Sequence, residues 1–340
     1  MAMILVVGGA GFIGSHMLKV LREAGEVFVV FDNLETGHSA ALQGAECIQG
    51  DLRDPGSLAR ALKSRHFDVV MHFGAYIMVG ESVRQPSEYY QNNFVGTMNL
   101  LDAMRDRGIN KLIFSSTAAI FGEPQYVPID EDHPKNPASP YGDTKLAVER
   151  LIDAYGTAYG LRSVCLRYFN AAGADPDGVI GEDHHPESHL VPAAILAAMG
   201  ATPGLSIFGT DYPTPDGTCV RDYIHVMDLA SAHLLAARYL RDGGESEKFN
   251  LGNGRGFSVR EIIDTVERVS GLRVPVTEAE RRPGDPATLI ASSAKIQAKL
   301  GWTPQLPGIA QIVEDAWNWR SSHPNGYPSG SGEPATLPSP

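Results

Sequence analysis

The sequence predicts an α/β fold: a doubly wound parallel sheet with helices on both faces, followed by a smaller C-terminal α/β lobe. Three observations carry this. Short apolar runs alternate with helical patterns through the first half, a glycine-rich turn joins the first run to the first helix, and the texture changes after about residue 174. The runs are "MILVV" (3–7), "VFVVF" (27–31), "DVVMHF" (68–73), "KLIFSS" (111–116) and "SVCLRYF" (163–169). Each is short and rich in β-branched or aromatic residues, as buried strands are. Between them "SHMLKVLREAG", "SLARALKSR", "GTMNLLDAMRDRG" and "TKLAVERLIDAYGTAYG" have helical spacing, and several close on a glycine suited to a C-cap. "KFNLGNG" (248–254) reads as a strand returning to the main sheet. The expected division is therefore 1–174, with returning segments around 220–255, then 175–322 as the second lobe. The tail 323–340, rich in Pro, Gly and Ser, is expected to be disordered.

The 340 residues carry a net charge of −12, which argues against a broad nucleic-acid-binding face. An anionic ligand must instead be held locally, by arginines and backbone N–H groups. Cys47, Cys165 and Cys219 are few and far apart, which fits reduced thiols and a cytoplasmic location. No basic leader precedes the first apolar run, and no stretch reaches the 18 apolar residues of a membrane helix, so no membrane partner is expected.

"VVGGAGFIGSH" spaces Gly9, Gly11 and Gly14 as G-x-G-x-x-G, and Gly8 extends it to G-x-x-G-x-x-G. The first glycines allow a tight turn and close approach of a pyrophosphate. The last lets the helix pack on the strand, and the helix N-terminus supplies N–H donors. Asp32 follows 18 residues after Gly14, at the end of the second run, where an acid accepts from an adenosine ribose hydroxyl. The pattern predicts a Rossmann-type dinucleotide domain. "DNLETGHSAA" contains no Arg or Lys to pair with a 2′-phosphate, so NAD is expected rather than NADP. In "GDLRD" Asp51 either reaches the adenine or caps the next helix.

"SPYGDTKLAVER" places Tyr141 and Lys145 four residues apart on one helical face, just after Pro140. Alone, such a pair is commonplace. Here it lies downstream of a dinucleotide turn and about 24 residues after "FSSTAA", whose Ser115, Ser116 and Thr117 offer hydroxyls at a strand end. A phenol of pKa about 10 needs roughly 4 kcal/mol of help to act as a base near neutrality, and an adjacent ammonium and a cationic nicotinamide are the expected sources.

Over residues 3–320 the chain resembles the extended short-chain dehydrogenase/reductases, and more closely the UDP-glucose 4-epimerases. The resemblance rests on "GGAGFIGSH", "FDNLETG", "GDLRD", "VGESVRQPSEYYQNN", "FSSTAAIFG", "SPYGDTKLAVER", "RYFNAAGADPDG", "IFGTDYPTPDGTCVRDYIHVMDLA" and "RRPGDPA". It implies that Tyr141 takes the proton of the sugar 4-hydroxyl while hydride passes from C4 to NAD. The 4-keto sugar then turns over and is reduced on its other face, with Thr117 and Lys145 completing the triad. It places cofactor contacts on Phe12, Ile13, Asp32, Asn33, Asp51, Leu52, Phe73, Ala75, Asn93 and Phe169. Nucleotide-sugar contacts fall on Asn170, Leu190, Ile207, Phe208, Arg221, Tyr223, Arg282 and Asp285. Arg221 and Arg282 suit a diphosphate clamp. A homodimer through residues 87–108 and 141–160 is also implied.

Four departures from the family pattern stand out. Val7 replaces a common threonine, and Ile77 stands where some members have a lysine near the cofactor. His189 replaces an asparagine on the substrate side. Leu289 occupies the position that is tyrosine in members restricted to glucose and galactose, so UDP-N-acetylhexosamines and UDP-pentoses remain open as substrates. "EDHHPESH" offers Asp183, His184, His185, Glu187 and His189 as metal ligands by type. Adjacent histidines and a proline make poor tetrahedral spacing, so a substrate loop and no metal is the expectation. Ala118 and Ala119 follow Thr117 where nucleotide-sugar dehydratases of this fold carry acids, which disfavours that chemistry. A net dehydrogenase or reductase would depend on added cofactor. A non-catalytic NAD sensor would be expected to lack the Tyr or the Lys.

Overall fold

The computed structural model describes residues 2–282 and 284–328, apart from the side chain of Ser64. Its strands run in chain order as β1 (Ile4–Val7), β2 (Phe28–Asp32), β3 (Cys47–Gln49), β4 (Val69–His72), β5 (Lys111–Thr117), β6 (Arg162–Tyr168), β7 (Asn170–Ala172), β8 (Leu205–Phe208), β9 (Val220–His225), β10 (Glu247–Leu251), β11 (Gly256–Ser258), β12 (Val276–Ala279) and β13 (Thr288–Leu289). The helices of the first half are α1 (Phe12–Glu23), α2 (Pro55–Ser64), α3 (Val79–Arg84), α4 (Pro86–Tyr89), α5 (Gly96–Asp106) and α6 (Pro140–Tyr159). They are followed by α7 (Leu190–Ala198), α8 (Val226–Arg241), α9 (Val259–Ser270), α10 (Ala294–Leu300) and α11 (Ile309–Ser322). None is long and apolar enough to cross a membrane.

Seven strands form one parallel sheet in the order β10-β6-β5-β4-β1-β2-β3. β1 reads as an unbroken apolar run because both of its faces are covered. Ile4 and Val6 join a cluster with Met17, Leu18 and Leu21 of α1 and Leu229 and Leu240 of α8. Leu5 and Val7 point the other way, into a cluster with Leu58 and Leu62 of α2, Leu100 and Met104 of α5, and Ile152 of α6. β3 is only three residues long and partly exposed at the sheet edge, which is why no apolar run marks it. Strand order reverses between β1 and β4, so the crevice at their C-terminal ends is the natural ligand site of this architecture.

The remaining strands make two small sheets, β11-β9-β13 with β7 beside β9, and β12-β8. Their shared core gathers Val191, Ala194, Ile207, Tyr223, Ile262, Val266 and Ile312 beneath α7, α9 and α11. The expected disordered tail departs from that reading at its start. Tyr327 is buried against Trp319, their ring centres 5.1 Å apart, and its hydroxyl accepts from Gly181 N at 3.0 Å. An aromatic residue with both an apolar site and a hydroxyl partner overrides a Pro/Gly-rich local composition. Residues 329–340 of that tail lie outside the described residues.

Candidate functional site

The turn between β1 and α1 is shaped by what its glycines leave out. A Cβ on Gly8 (φ +79°) would fall 2.4 Å from Gly74 N, and one on Gly14 only 2.1 Å from Gly8 O. These two positions seat the turn and helix against their neighbours. Gly11 differs, because a Cβ there would meet nothing nearer than Gly8 O at 3.7 Å. It therefore keeps open the space above the first turn of α1, whose N-terminus no side chain caps. Uncapped N–H groups and the positive dipole end facing a cleft fit a pyrophosphate. A small cavity beside this turn is lined by Ala10, Gly11, Phe12, Ser15 and Thr36, with His38, His184 and Tyr327 on its far side. His38 and Tyr327 carry no motif and were not legible in the sequence, which offered His184 only as a metal ligand by type. Ile13, next to Phe12, is half-buried against the α1 side of the sheet.

Asp32 ends β2 in a buried position, with Oδ2 accepting from Ala10 N at 2.9 Å and Oδ1 from Leu34 N at 2.8 Å. Burial pushes its pKa up, against the pull of these amides. Asp51 does not cap α2; Asp54 does, accepting from Gly56 N at 2.9 Å. Asp51 instead accepts from Arg53 and, at 3.1 Å, from Asn33 Nδ2 at the rim of the crevice. Arg53 is a cation the sequence reading overlooked, but Asp51 and Glu35 already hold it. Asn93 is buried, and its amide grips both the N–H (2.8 Å) and the C=O (3.0 Å) of Tyr76, fixing the loop that holds half-buried Ala75 and exposed Ile77. Leu52 packs behind Gly74, and Phe73 lies 4.8 Å from the His233 ring.

α6 begins with Ser139 accepting from Gly142 N at 3.2 Å and Pro140 in its first turn. A Cβ on Gly142 would sit 2.4 Å from Ala119 O, so the helix mouth lies directly on the loop after β5. That approach brings Tyr141 to the loop after Thr117, whose hydroxyl pulls the phenol's pKa down against burial. Lys145 is buried, donating to Ser115 O at 3.0 Å and lying 4.9 Å from the centre of the Phe114 ring. One turn further along, Glu149 completes a buried face. It accepts from Ser116 Oγ (2.6 Å) and from Arg167 through Nε (2.9 Å) and NH2 (2.6 Å). Burial works to raise the Glu149 pKa, but the Arg167 hydrogen bonds and charge bring it below the ordinary value.

Burial dominates the electrostatics of the pair. Burial pushes the Tyr141 phenol up, with Thr117 opposing. Burial also lowers Lys145 from its ordinary 10.5 to about 7, Glu149 opposing. A desolvated ammonium is itself unstable, so the protein alone does not hold the phenol near neutrality. This has a measurable consequence. A lysine whose folded pKa lies below its unfolded value carries its full burial cost below about pH 7, a cost that fades as the pH rises toward 10.5. Lys145→Met should raise the melting temperature of the cofactor-free protein, by on the order of 4 kcal/mol in stability at pH 6.5 and by much less at pH 9.5. Thermal melts showing the same increment at both pH values would exclude a charged, buried Lys145.

On the substrate side the expected residues separate into two groups. Arg221 of β9 pairs with Asp285 and donates to Val220 O at 2.8 Å, while Arg282 lies over the Phe208 ring, 3.9 Å from its centre. Asn170 donates to Asp222 O at 2.9 Å, and Leu289 stands opposite Arg221 in the β13–β9 register. Leu289 and Phe169 pack with Ala118, Phe121 and Leu146, next to Thr117. Ile207 and Tyr223, by contrast, turn their side chains into the lobe core, which leaves only their backbone to face a ligand. Leu190 packs partly on the same core. His189 points to Glu182 rather than across the crevice.

Against this geometry, the family model for the NAD dependent epimerase/dehydratase family matches residues 4–252. The UDP-glucose 4-epimerase of Halalkalibacterium halodurans is 54% identical over 324 residues, covering 95% of this chain and 97% of that protein. The crystal structure of the Brucella ovis UDP-glucose 4-epimerase in complex with NAD superposes with a TM-score of 0.91 at 48% identity, covering 93% of this chain and 98% of that one. The Bifidobacterium longum enzyme in complex with NAD+ and UDP gives a TM-score of 0.91 at 36% identity, over 96% and 100%. With the glycine turn, the switch-point crevice and the Tyr/Lys helix all in place, this chain belongs to the NAD-dependent epimerase/dehydratase family.

Proposed function

We propose that this chain is an NAD-dependent 4-epimerase of UDP-sugars, interconverting UDP-glucose and UDP-galactose through a transient 4-keto sugar. The observation that carries the reading is Tyr141 buried at the mouth of α6, directly on the loop that follows Thr117 at the end of β5, with Lys145 anchored one helical turn away. The relatives described above are UDP-glucose 4-epimerases, and one was crystallised with both NAD+ and UDP. Gly8, Gly11, Phe12, Ile13 and Gly14 would hold the pyrophosphate, Asp32 and Asn33 the adenosine ribose, and Asp51 and Leu52 the adenine side. Phe73, Ala75, Asn93, Lys145 and Phe169 would line the nicotinamide half. NAD, when bound, accepts and returns the hydride of sugar C4. Tyr141 takes and returns the 4-hydroxyl proton, and Thr117 orients that hydroxyl. Arg221 and Arg282 clamp the diphosphate, with Asn170, Leu190, Phe208 and Asp285 around it and Ile207 and Tyr223 contributing backbone.

In this reading residues 1–174, with returning segments around 220–255, carry the dinucleotide, and 175–322 carry the nucleotide sugar. A homodimer through the outward faces of residues 87–108 and 141–160 accompanies it. A cytoplasmic location is supported by the three free cysteines.

Proton NMR of the purified protein with UDP-galactose and no added cofactor tests the function. Conversion to the 4-epimer supports it, and no conversion even with NAD supplied removes it. The same assay tests a wider sugar range, which Leu289 favours because it places an aliphatic side chain beside Ala118 and Phe121. Leu289→Tyr should lower the rate on UDP-N-acetylgalactosamine relative to UDP-galactose by roughly tenfold or more. An unchanged ratio would take Leu289 out of sugar selection.

A further inference from the structure

The loop between β7 and α7 brings Glu182, His184, Glu187 and His189 together, with one ligand atom of each within 4.8 Å of all the others. We propose that these four side chains form a metal centre for a zinc-type dication, whose test does not depend on the epimerase reading. Ligands at about 2.0–2.2 Å from zinc stand about 3.4 Å apart in a tetrahedron, so a small inward rotation closes the shell.

The orientation of Glu187 is the decisive detail. Its Oε1 accepts from both Ser188 N and His189 N at 2.8 Å, which turns Oε2 into the cluster. The side chain is only 5% exposed, and Oε2 has no hydrogen-bond partner among the described residues. His184 Nδ1, 3.6 Å from it, has none either. Glu182, equally buried, places Oε1 3.3 Å from His184 Nδ1 and bonds His189 Nδ1. Lone pairs thus converge on one point from three directions, and buried groups of this kind are costly unless something satisfies them. A dication on two carboxylates and two neutral imidazoles is electrically neutral. Mixed nitrogen and oxygen donors select zinc over calcium or magnesium, which take oxygen alone.

The poor spacing expected from the sequence came from the adjacent histidines and the proline, with Asp183 and His185 counted among the ligands. The structure turns both away: Asp183 accepts from Arg320 and from Tyr327 N, and His185 is exposed. What remains is E-x-H-x-x-E-x-H. Four protein ligands leave no open position for a reacting group, so the centre is structural rather than catalytic. It would staple two sides of the crevice, because the His184 ring meets Phe12 edge-on at 6.5 Å and His189 is the N-cap residue of α7.

The test is calorimetric titration of chelator-treated full-length protein with Zn2+, read beside metal content of the untreated protein and thermal melts with Zn2+ or Mg2+. About one Zn2+ per chain at micromolar affinity or tighter is expected, together with a melting temperature raised by Zn2+ and not by Mg2+. Glu187→Gln should weaken zinc binding by roughly 100-fold or more, and His185→Ala should leave it intact. The absence of stoichiometric zinc binding by the native chain overturns the proposal, and that result stands even if Glu187→Gln fails to fold. Full zinc affinity retained in Glu187→Gln overturns it equally, because the ion would then sit elsewhere.

Discussion

Tyr141→Phe is expected to lower the turnover of UDP-galactose by roughly 10³–10⁴-fold while leaving dinucleotide retention and the melting temperature close to those of the native protein. The reason is that the proton of the sugar 4-hydroxyl has no substitute acceptor. Thr117 Oγ1 accepts from Ala119 N, and Lys145 Nζ is spent on Ser115 O. The substitution deletes one oxygen and keeps the ring, so the packing of a side chain 8% exposed is preserved and the loss falls on chemistry. NMR-followed kinetics and absorbance of the retained dinucleotide separate the two effects. Activity within tenfold of native would remove Tyr141 from the proton transfer. Activity lost together with the dinucleotide would make Tyr141 a binding residue instead.

What could be read from the sequence follows a physical dividing line. β1, β4 and β5 were legible because parallel strands covered on both faces must be apolar throughout. The glycine turn was legible because close backbone approach admits no other residue at Gly8 or Gly14. Tyr141 and Lys145 were legible as a helical i, i+4 pair, and Glu149 extends that face by one more turn. Its role was hidden because Arg167, the partner that keeps it ionised, comes from β6 and carries no local signal. The same applies to His38 and Tyr327, which reach a small cavity beside the glycine turn from two distant segments. The desolvation of Tyr141 and Lys145 was hidden for a related reason. Proximity of an ammonium is visible in a sequence, whereas the desolvation that removes its charge is a property of the packed core.

Arg167→Met should cost about 3–5 kcal/mol of stability, the usual penalty for stranding one member of a buried ion pair. The two side chains are 2% and 1% exposed, and with the guanidinium gone Glu149 keeps Ser116 Oγ at 2.6 Å and Lys248 Nζ at 3.8 Å. Neither replaces two charge-assisted hydrogen bonds. Adding Glu149→Gln should restore much of the loss, because the double variant buries no unpaired charge. The pair also bears on the site. The negative charge of Glu149 supports the Lys145 ammonium one turn away, so removing it should push the lysine further below about 7 and deepen its loss of charge. Glu149→Gln alone is therefore expected to weaken activity most near and just below pH 7, where Lys145 is neutral in the variant and still partly charged in the native protein, and least at high pH, where it is neutral in both. Urea unfolding of the single and double variants, with pH profiles of kcat, decides both halves. If Arg167→Met cost less than about 1 kcal/mol, or the double variant were no more stable than the single, the pair would not act as a buried charge couple. A pH profile unmoved by Glu149→Gln would detach it from Lys145.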